Sequence, residues 1–196
     1  MTAALLLSGG MDSTALAWLT KPDLAVTIDY GQLAAEAEIR ASSEVSRLMG
    51  LNHQVIRMRV PELGSGDMAG KSAHADAPAS DWWPFRNQLL ITVAATAAIN
   101  HGCDRLLIGT VASDGIHSDG TPAFVQRMNA LLICQEGGLS LHAPAIEWTT
   151  AELVRRSEVP QPILAWSHSC HKANTPCCSC RGCNKHLEVL SELGMT

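Results

Sequence analysis

With 196 residues, 46% of them hydrophobic and 17% charged, the chain can bury the core of one α/β domain and is too apolar to be disordered. A formal net charge of −5 excludes the broad basic surface of a nucleic-acid binder, leaving room only for a local basic patch. No apolar run approaches the roughly 20 residues of a membrane span.

The apolar start MTAALLLSGGMDS carries no basic segment, so it reads as a first buried strand in a cytoplasmic protein rather than as a signal peptide. That strand covers residues 3–7 and ends at Ser8-Gly9-Gly10, and residues 13–19 follow with helical spacing. Residues 24–28 form a second strand. Residues 34–49 form a polar-faced helix, closed by Gly50 where a left-handed C-cap favours glycine. A third strand is expected over 54–58. Residues 61–80, rich in Gly, Ala, Ser and Asp without a clean period, read as a long surface loop. An alanine-rich helix over 88–100 closes on Gly102 and is followed by a strand at 105–108, a helix at 123–134 and a strand at 139–142. From Pro160 onward Pro and Cys replace the apolar periodicity until a short helix near 185–193.

This alternation predicts an α/β fold: a mostly parallel sheet with helices on both faces over residues 1–159, and a cysteine-rich metal-binding segment over 160–196 packed on it. The long loop and the tail break the rhythm and are where function is expected.

Ser8-Gly9-Gly10-Met11-Asp12-Ser13-Thr14 lies between the first strand and the first helix. Glycines let backbone approach a phosphate, a helix start offers unpaired N–H groups at the positive end of its dipole, and Ser8, Ser13 and Thr14 add hydroxyls. A carboxylate repels phosphate, so Asp12 points to Mg²⁺ bridging it to pyrophosphate oxygens. The plainer reading makes Gly9-Gly10 a tight turn and Asp12 or Ser13 a helix cap.

Cys177, Cys180 and Cys183 follow a CxxCxxC spacing, with Cys170 a short loop upstream. Two-residue gaps let thiolates converge on one tetrahedral ion, and four protein ligands close the site, which suits one structural Zn²⁺. An iron–sulfur site has similar spacing. Cys178 competes for a ligand position, and His168, His171 and His186 are further candidate ligands. Cys103 and Cys134, beside predicted strand and helix, are expected in the core.

The string at 8–13 matches the SGGxDS signature of the PP-loop ATP pyrophosphatases. Further segments follow in order: Ile28-Asp29-Tyr30-Gly31-Gln32, Arg86-Asn87, Gly109 to Asp114, Asp119-Gly120-Thr121-Pro122-Ala123-Phe124, His142-Ala143-Pro144, and the Ser169-Cys170 to Cys183 tail. This series resembles the 7-cyano-7-deazaguanine synthase family. The resemblance implies ATP-dependent adenylation of 7-carboxy-7-deazaguanine with pyrophosphate release, amidation by ammonia, and a second activation that dehydrates the amide to the nitrile, as in queuosine biosynthesis. It implies that Ser8, Gly9, Gly10, Asp12, Ser13 and Thr14 hold pyrophosphate and Mg²⁺, with Asp29, Arg86 and Asn87 also at the nucleotide. Asp12, Ser13 and Arg86 would carry the chemistry. Tyr30, Gln32, Asp114 and Asp119 would meet the deazapurine, and a homodimer is expected.

Three segments depart from the family pattern. YGQRH becomes Tyr30-Gly31-Gln32-Leu33-Ala34. The glycine and proline before RN are replaced by Trp83-Pro84-Phe85. The loop over 114–121 lacks the family's tyrosines and arginine. Cys178 stands where the family has glycine. These departures leave room for a synthase-like ligase, of the antiviral-defence type, that passes the activated acyl group to an amine on a partner protein. A non-catalytic nucleotide-binding module is a third reading, and tRNA thiolases and NAD synthetases share the N-terminal motif alone.

Overall fold

Each apolar run of the sequence becomes a strand that hands the chain to a covering helix. In the computed structural model, which describes residues 2–195, β1 (Ala3–Leu6) leads into α1 (Met11–Thr20), and β2 (Leu24–Asp29) into α2 (Ala35–Met49). After β3 (Asn52–Arg57) comes a long excursion that holds a 3-10 turn (Pro61–Leu63) and one short helix, α3 (Gly66–Ala69). Then follow α4 (Arg86–Asn100), β4 (Arg105–Leu107), two 3-10 turns (Ala112–Ile116 and Ser118–Gly120) and α5 (Pro122–Ile133). The chain ends with β5 (Ser140–His142), α6 (Thr150–Ser157), α7 (Gln161–Leu164) and α8 (Arg181–Glu192).

All neighbouring strands are parallel, in the order β3-β2-β1-β4-β5. Strand side chains alternate between the two faces of the sheet. Ala3, Leu5 and Leu7 join a core with Ala15 and Leu16 of α1, Val45 of α2 and Leu153 of α6. Ala4, Val26, Ile28 and Leu106 join the opposite core with Ile91 and Ala94 of α4 and Met128 of α5. Burial on both sides explains why these strands read as continuous apolar runs. Truncating a fully buried residue such as Leu5 or Leu16 to alanine would cost about 2–5 kcal/mol. Ile163, Leu164 and Val189 of the tail enter the first core, while Cys170, Cys180 and Cys183 form a small cluster of their own.

Strand order reverses between β1 and β4, and a crevice opens at their carboxyl ends, the usual ligand position in such sheets. The two loops touch there: a Cβ added at Gly109 would stand 3.1 Å from the backbone of Ser13.

The third strand starts at Asn52, earlier than its apolar run suggested, because its first residues pair with Leu24 and Ala25. Helix α6 was not expected, although Thr149 and Glu152 form a capping box and Ala151, Leu153 and Val154 are buried on one face. Helix α8 starts at Arg181 rather than 185, since the Cys180 sulfur caps it by accepting from the Cys183 amide. Cys103 is buried as expected, whereas Cys134 is exposed at the end of α5 instead of filling the core. Among the described residues, no helix is long and apolar enough to cross a membrane.

Candidate active site

A cleft of about 300 Å³ occupies the crevice, with Leu6, Ile28, Ile91 and Ile108 on its apolar side and Ser8, Gly10, Asp12 and Ser13 at its polar end. The polar end is the start of α1. Gly10 is the N-cap and no side chain caps it, so the first amides of the helix are left to a ligand. Ser13 Oγ donates to the Gly10 carbonyl at 3.1 Å and lies 3.1 Å from Ser8 Oγ, which accepts from the Gly10 amide at 3.3 Å. These bonds fix the loop's curvature. Gly9 supplies the turn at φ +76°, with room for nothing larger: a Cβ would sit 2.8 Å from both Ala41 Cβ and the Glu38 carbonyl.

Asp12 carries the charge of this end. Its Oδ2 accepts from Lys185 Nζ at 3.0 Å, while Oδ1 is buried with no charged partner and only the Thr150 hydroxyl as a polar neighbour of the carboxyl. The same ammonium lies 3.3 Å from Asp114 Oδ1. Burial lifts the Asp12 carboxyl above its ordinary value, opposed by Lys185 and reinforced by Asp114. Burial works against the Lys185 charge, but Asp12 and Asp114 together outweigh it and hold the ammonium protonated.

The opposite end is assembled from distant segments. Arg86, in the first turn of α4, donates through Nε to Asn87 Oδ1 at 3.3 Å, and its Nη1 lies 3.0 Å from Met68 Sδ. Tyr30 is buried, stacked edge-on against Trp83 with ring centroids 4.9 Å apart. Glu38 reaches the cleft from α2; its Oε2 accepts from Gln32 Nε2 at 2.8 Å, and burial pushes it up to about 7. Buried Asp81 meets His117 Nε2 at 3.5 Å, His171 Nδ1 at 3.4 Å and Arg181 Nη1 at 3.4 Å. Burial alone would raise Asp81, but His117, His171 and the Arg181 charge beside it hold it well below the usual carboxylate range. Arg181 thus presents a guanidinium to the very loop that lacks an arginine of its own.

Below this end lie Cys170, Cys177, Cys180 and Cys183, whose sulfurs all fall within 4.8 Å of one another. The Cys177–Cys183 and Cys180–Cys170 pairs are 3.9 and 4.0 Å apart, too far for disulfides. The Ser179 amide and hydroxyl and the Cys180 amide hold Cys177 down to about 5, whereas burial pushes Cys183 up to about 12. Four such thiols cannot all ionise at this spacing without a cation between them, and the set can hold one metal ion. The histidines considered as ligands are engaged elsewhere: His168 with the Ala173 carbonyl, His171 with Asp81 and His186 with Ser169 Oγ. Cys178 is exposed at φ +57° and stays outside the set, its backbone conformation being the one that glycine adopts freely.

Ser8, Gly10, Asp12, Ser13, Tyr30, Arg86, Asn87, Asp114 and Asp119 all border the cleft. Asn87 and Asp119 face each other, the Asn87 amide donating to Asp119 Oδ2 at 3.2 Å and its Nδ2 to the Asp119 carbonyl at 3.0 Å. Gly9, Thr14, Asp29 and Gln32 do not border it. Thr14 is fully buried, and Asp29 accepts from the Gly31 amide at 3.0 Å. Gln32 ties Tyr30 N and the Ile28 carbonyl to Glu38, which makes it a brace for cleft residues. Glu38, Asp81, His117, Arg181 and Lys185 were missed from sequence. Arg181 and Lys185 stand four apart, one face of a helix, and would have been visible had Cys180 been taken as its cap.

A sequence model described as "Queuosine biosynthesis protein QueC" matches residues 2–194. The chain is 31% identical to a 7-cyano-7-deazaguanine synthase of Methanosarcina barkeri, covering all of this chain and 96% of that protein. It is 30% identical to one of Desulforudis audaxviator, covering 94% of each. The Methanosarcina alignment runs to 222 positions, so this chain lacks segments that its relative has. Among solved structures, the U34-tRNA thiolase NcsA of Methanococcus maripaludis, solved with its 4Fe-4S cluster, superposes with TM-score 0.53 at 15% identity. It does so over 98% of this chain and 65% of its own. The NMN synthetase of Francisella tularensis superposes with TM-score 0.53 at 16% identity, covering all of this chain and 73% of its own. Those likenesses speak for the fold, and the family match over nearly the whole length speaks for the chemistry class. The chain belongs to the QueC family of queuosine biosynthesis proteins and is an ATP-dependent ligase on a PP-loop fold.

Proposed function

We propose that the cleft adenylates 7-carboxy-7-deazaguanine with ATP, amidates it with ammonia and dehydrates the amide to 7-cyano-7-deazaguanine. The observation that carries this reading is the uncapped start of α1 with the Asp12 Oδ1 buried beside it without a cationic partner. Such a carboxylate oxygen at an anion-binding helix end fits a divalent cation held between it and a polyphosphate. Mg²⁺ there would neutralise the leaving pyrophosphate.

The chain's own residues supply the rest. Amides of 10–13 with Ser8 and Ser13 hold the phosphates, with Gly9 and Thr14 shaping the loop and Asp29 its neighbour. Arg86 offers its guanidinium to the anionic reactants. A substrate carboxylate oxygen attacks the α-phosphorus and the bond to pyrophosphate breaks. Ammonia then attacks the acyl carbon, AMP leaves, and Glu38 in its ionised form can take the proton released. In the second round the amide oxygen attacks another ATP, and loss of AMP and the amide protons leaves the nitrile. Tyr30, Asp114 and Asp119, with Gln32 as brace, border the deazapurine position. Arg181, held by Asp81 and His117, stands in for the loop arginine against the substrate carboxylate.

Zinc is the metal proposed for the four thiols: a tetrahedral site with Zn–S of about 2.3 Å has sulfurs about 3.8 Å apart, close to the spacings above. Thiolates of a four-iron cluster each bind a different iron and stand farther apart.

One observation favours a second reading. The three segments that depart from the family pattern each expose a large apolar side chain: Leu33 at 44%, Phe85 at 75% and Ile116 at 51%. Exposed apolar side chains suit contact with a protein that offers the accepting amine in place of ammonia. The test is incubation with ATP, Mg²⁺, ammonium and 7-carboxy-7-deazaguanine, with mass spectrometry of all products. The first reading predicts AMP, pyrophosphate and the free nitrile. Adenylate or amide without nitrile supports the acyl-transfer reading, and no AMP contradicts both.

A further inference from the structure

Lys185 is the residue that neither the phosphate loop nor the thiol site accounts for. Its ammonium lies 3.0 Å from Asp12 Oδ2 and 3.3 Å from Asp114 Oδ1, bridging α1 to the turn after β4. Both carboxylates face the cleft, and Asp12 keeps a second, buried oxygen with no cationic partner. A single positive charge thus stands between two negative ones, at the point where a polyphosphate would arrive. We propose that Lys185 is a built-in counter-cation: in the nucleotide-free enzyme its ammonium holds the place that a divalent cation takes on nucleotide binding, and it then transfers to the triphosphate.

The inference rests on the ATP reading above and adds an order of events to it. Without a cation, Asp12 and Asp114 would face each other as like charges in a partly buried cleft, where screening is weak. An ammonium satisfies both. A divalent ion needs the same carboxylate oxygens and repels the ammonium, so the two compete for one position. Lys185 has somewhere to go. Its flexible four-carbon stem leaves the side chain one-third exposed, and a triphosphate entering over Ser8 and Ser13 supplies the negative charge that the ion has taken from it. Its anchor is rigid, because α8 is capped by Cys180 and holds Cys183 in its first turn.

Competition of this kind is reciprocal, and it can be read without turnover. The experiment is a Mn²⁺ titration, followed by electron paramagnetic resonance, on metal-loaded wild type, Lys185→Met and Lys185→Arg, with and without a non-cleavable ATP analogue. Equal content of the thiol-bound metal and equal melting temperature establish that the variants are folded. Without nucleotide, Lys185→Met is expected to bind Mn²⁺ about tenfold more tightly than wild type, with Lys185→Arg close to wild type. With the analogue, the order reverses, and Lys185→Met holds the Mn²⁺–nucleotide pair about tenfold more weakly. Equal Mn²⁺ affinity of Lys185→Met and wild type without nucleotide overturns the counter-cation. Equal strengthening by the analogue in all three proteins overturns the transfer to the triphosphate. If the analogue binds to none of them while Lys185→Met still gains Mn²⁺, the ATP reading falls and the counter-cation stands.

Discussion

The two ends of the cleft are made in different ways. The phosphate end is contiguous: residues 8–13 bond mainly to one another, and their positions follow from one strand–turn–helix. At the far end Asp81, Arg86, His117 and Arg181 come from the long excursion, α4, the loop after β4 and α8, and Asp81 ties His117 to Arg181. A site written in consecutive residues depends mainly on local backbone geometry, with His168 and Lys185 reaching in from the tail. A site gathered from four segments depends on everything that fixes those segments, including the thiol cluster under α8.

The largest expected effect breaks the second end and, through Lys185, also reaches Asp12 at the first. Cys180→Ser removes both a metal ligand and the cap of α8, so metal content should fall to zero, and Arg181 and Lys185 should leave the cleft. Structural thiolate sites hold zinc by about 10–16 kcal/mol in small peptides, so a lower melting temperature is expected as well. Cys178→Ser, at the exposed neighbour, should keep full metal; elemental analysis of the two variants settles the ligand set. Next in size is Asp12→Ala, which should cut AMP formation by about 10²–10³, the usual cost of losing one preorganised charge-stabilising group. Its melting temperature should hold or rise, because a carboxylate that burial disfavours is gone.

Asp81→Asn tests the gathered end more gently. It keeps the shape but frees Arg181 and His117, and it should raise KM for the deazapurine acid about tenfold, an effect on the order of 1.4 kcal/mol. KM for ATP should be unchanged, and a parallel rise in both would merge the two ends into one.

The smallest effect is a pH dependence. Glu38 keeps its proton up to about pH 7 in the folded chain, against an ordinary value of 4.5. Its contribution to stability is therefore complete below about 4.5 and is lost as pH rises through about 7. Glu38→Gln should match wild type near pH 4.5 and melt higher at pH 8, by about 2–4 °C for each kcal/mol recovered.

What sequence made legible follows the same division. The parallel sheet, the loop at 8–13 and the four cysteine ligands all rest on local spacing, and the chain places them accordingly. Lys185 and Arg181 were hidden because their role depends on where α8 begins, which is set by a cysteine cap rather than by Ser, Thr, Asp or Asn. Asp81 lies in a stretch with no period at all, and only tertiary packing brings His117 and His171 to it. Gln32 and Asp29 have the composition of ligand-binding residues, yet local backbone bonds claim them, as such side chains readily allow. The departing segments were visible as departures, but their exposed Leu33, Phe85 and Ile116 emerged only from the fold.

The central claim is that the acid is activated through its own carboxylate oxygen, and oxygen tracing tests it most directly. 7-Carboxy-7-deazaguanine labelled with ¹⁸O in both carboxylate positions would be incubated with ATP, Mg²⁺ and ammonium, and the AMP analysed by mass spectrometry. The account predicts that AMP carries one ¹⁸O per molecule, from the acid in the first round and from the amide in the second. Unlabelled AMP would mean that water or another group attacks the α-phosphorus, and would contradict the account.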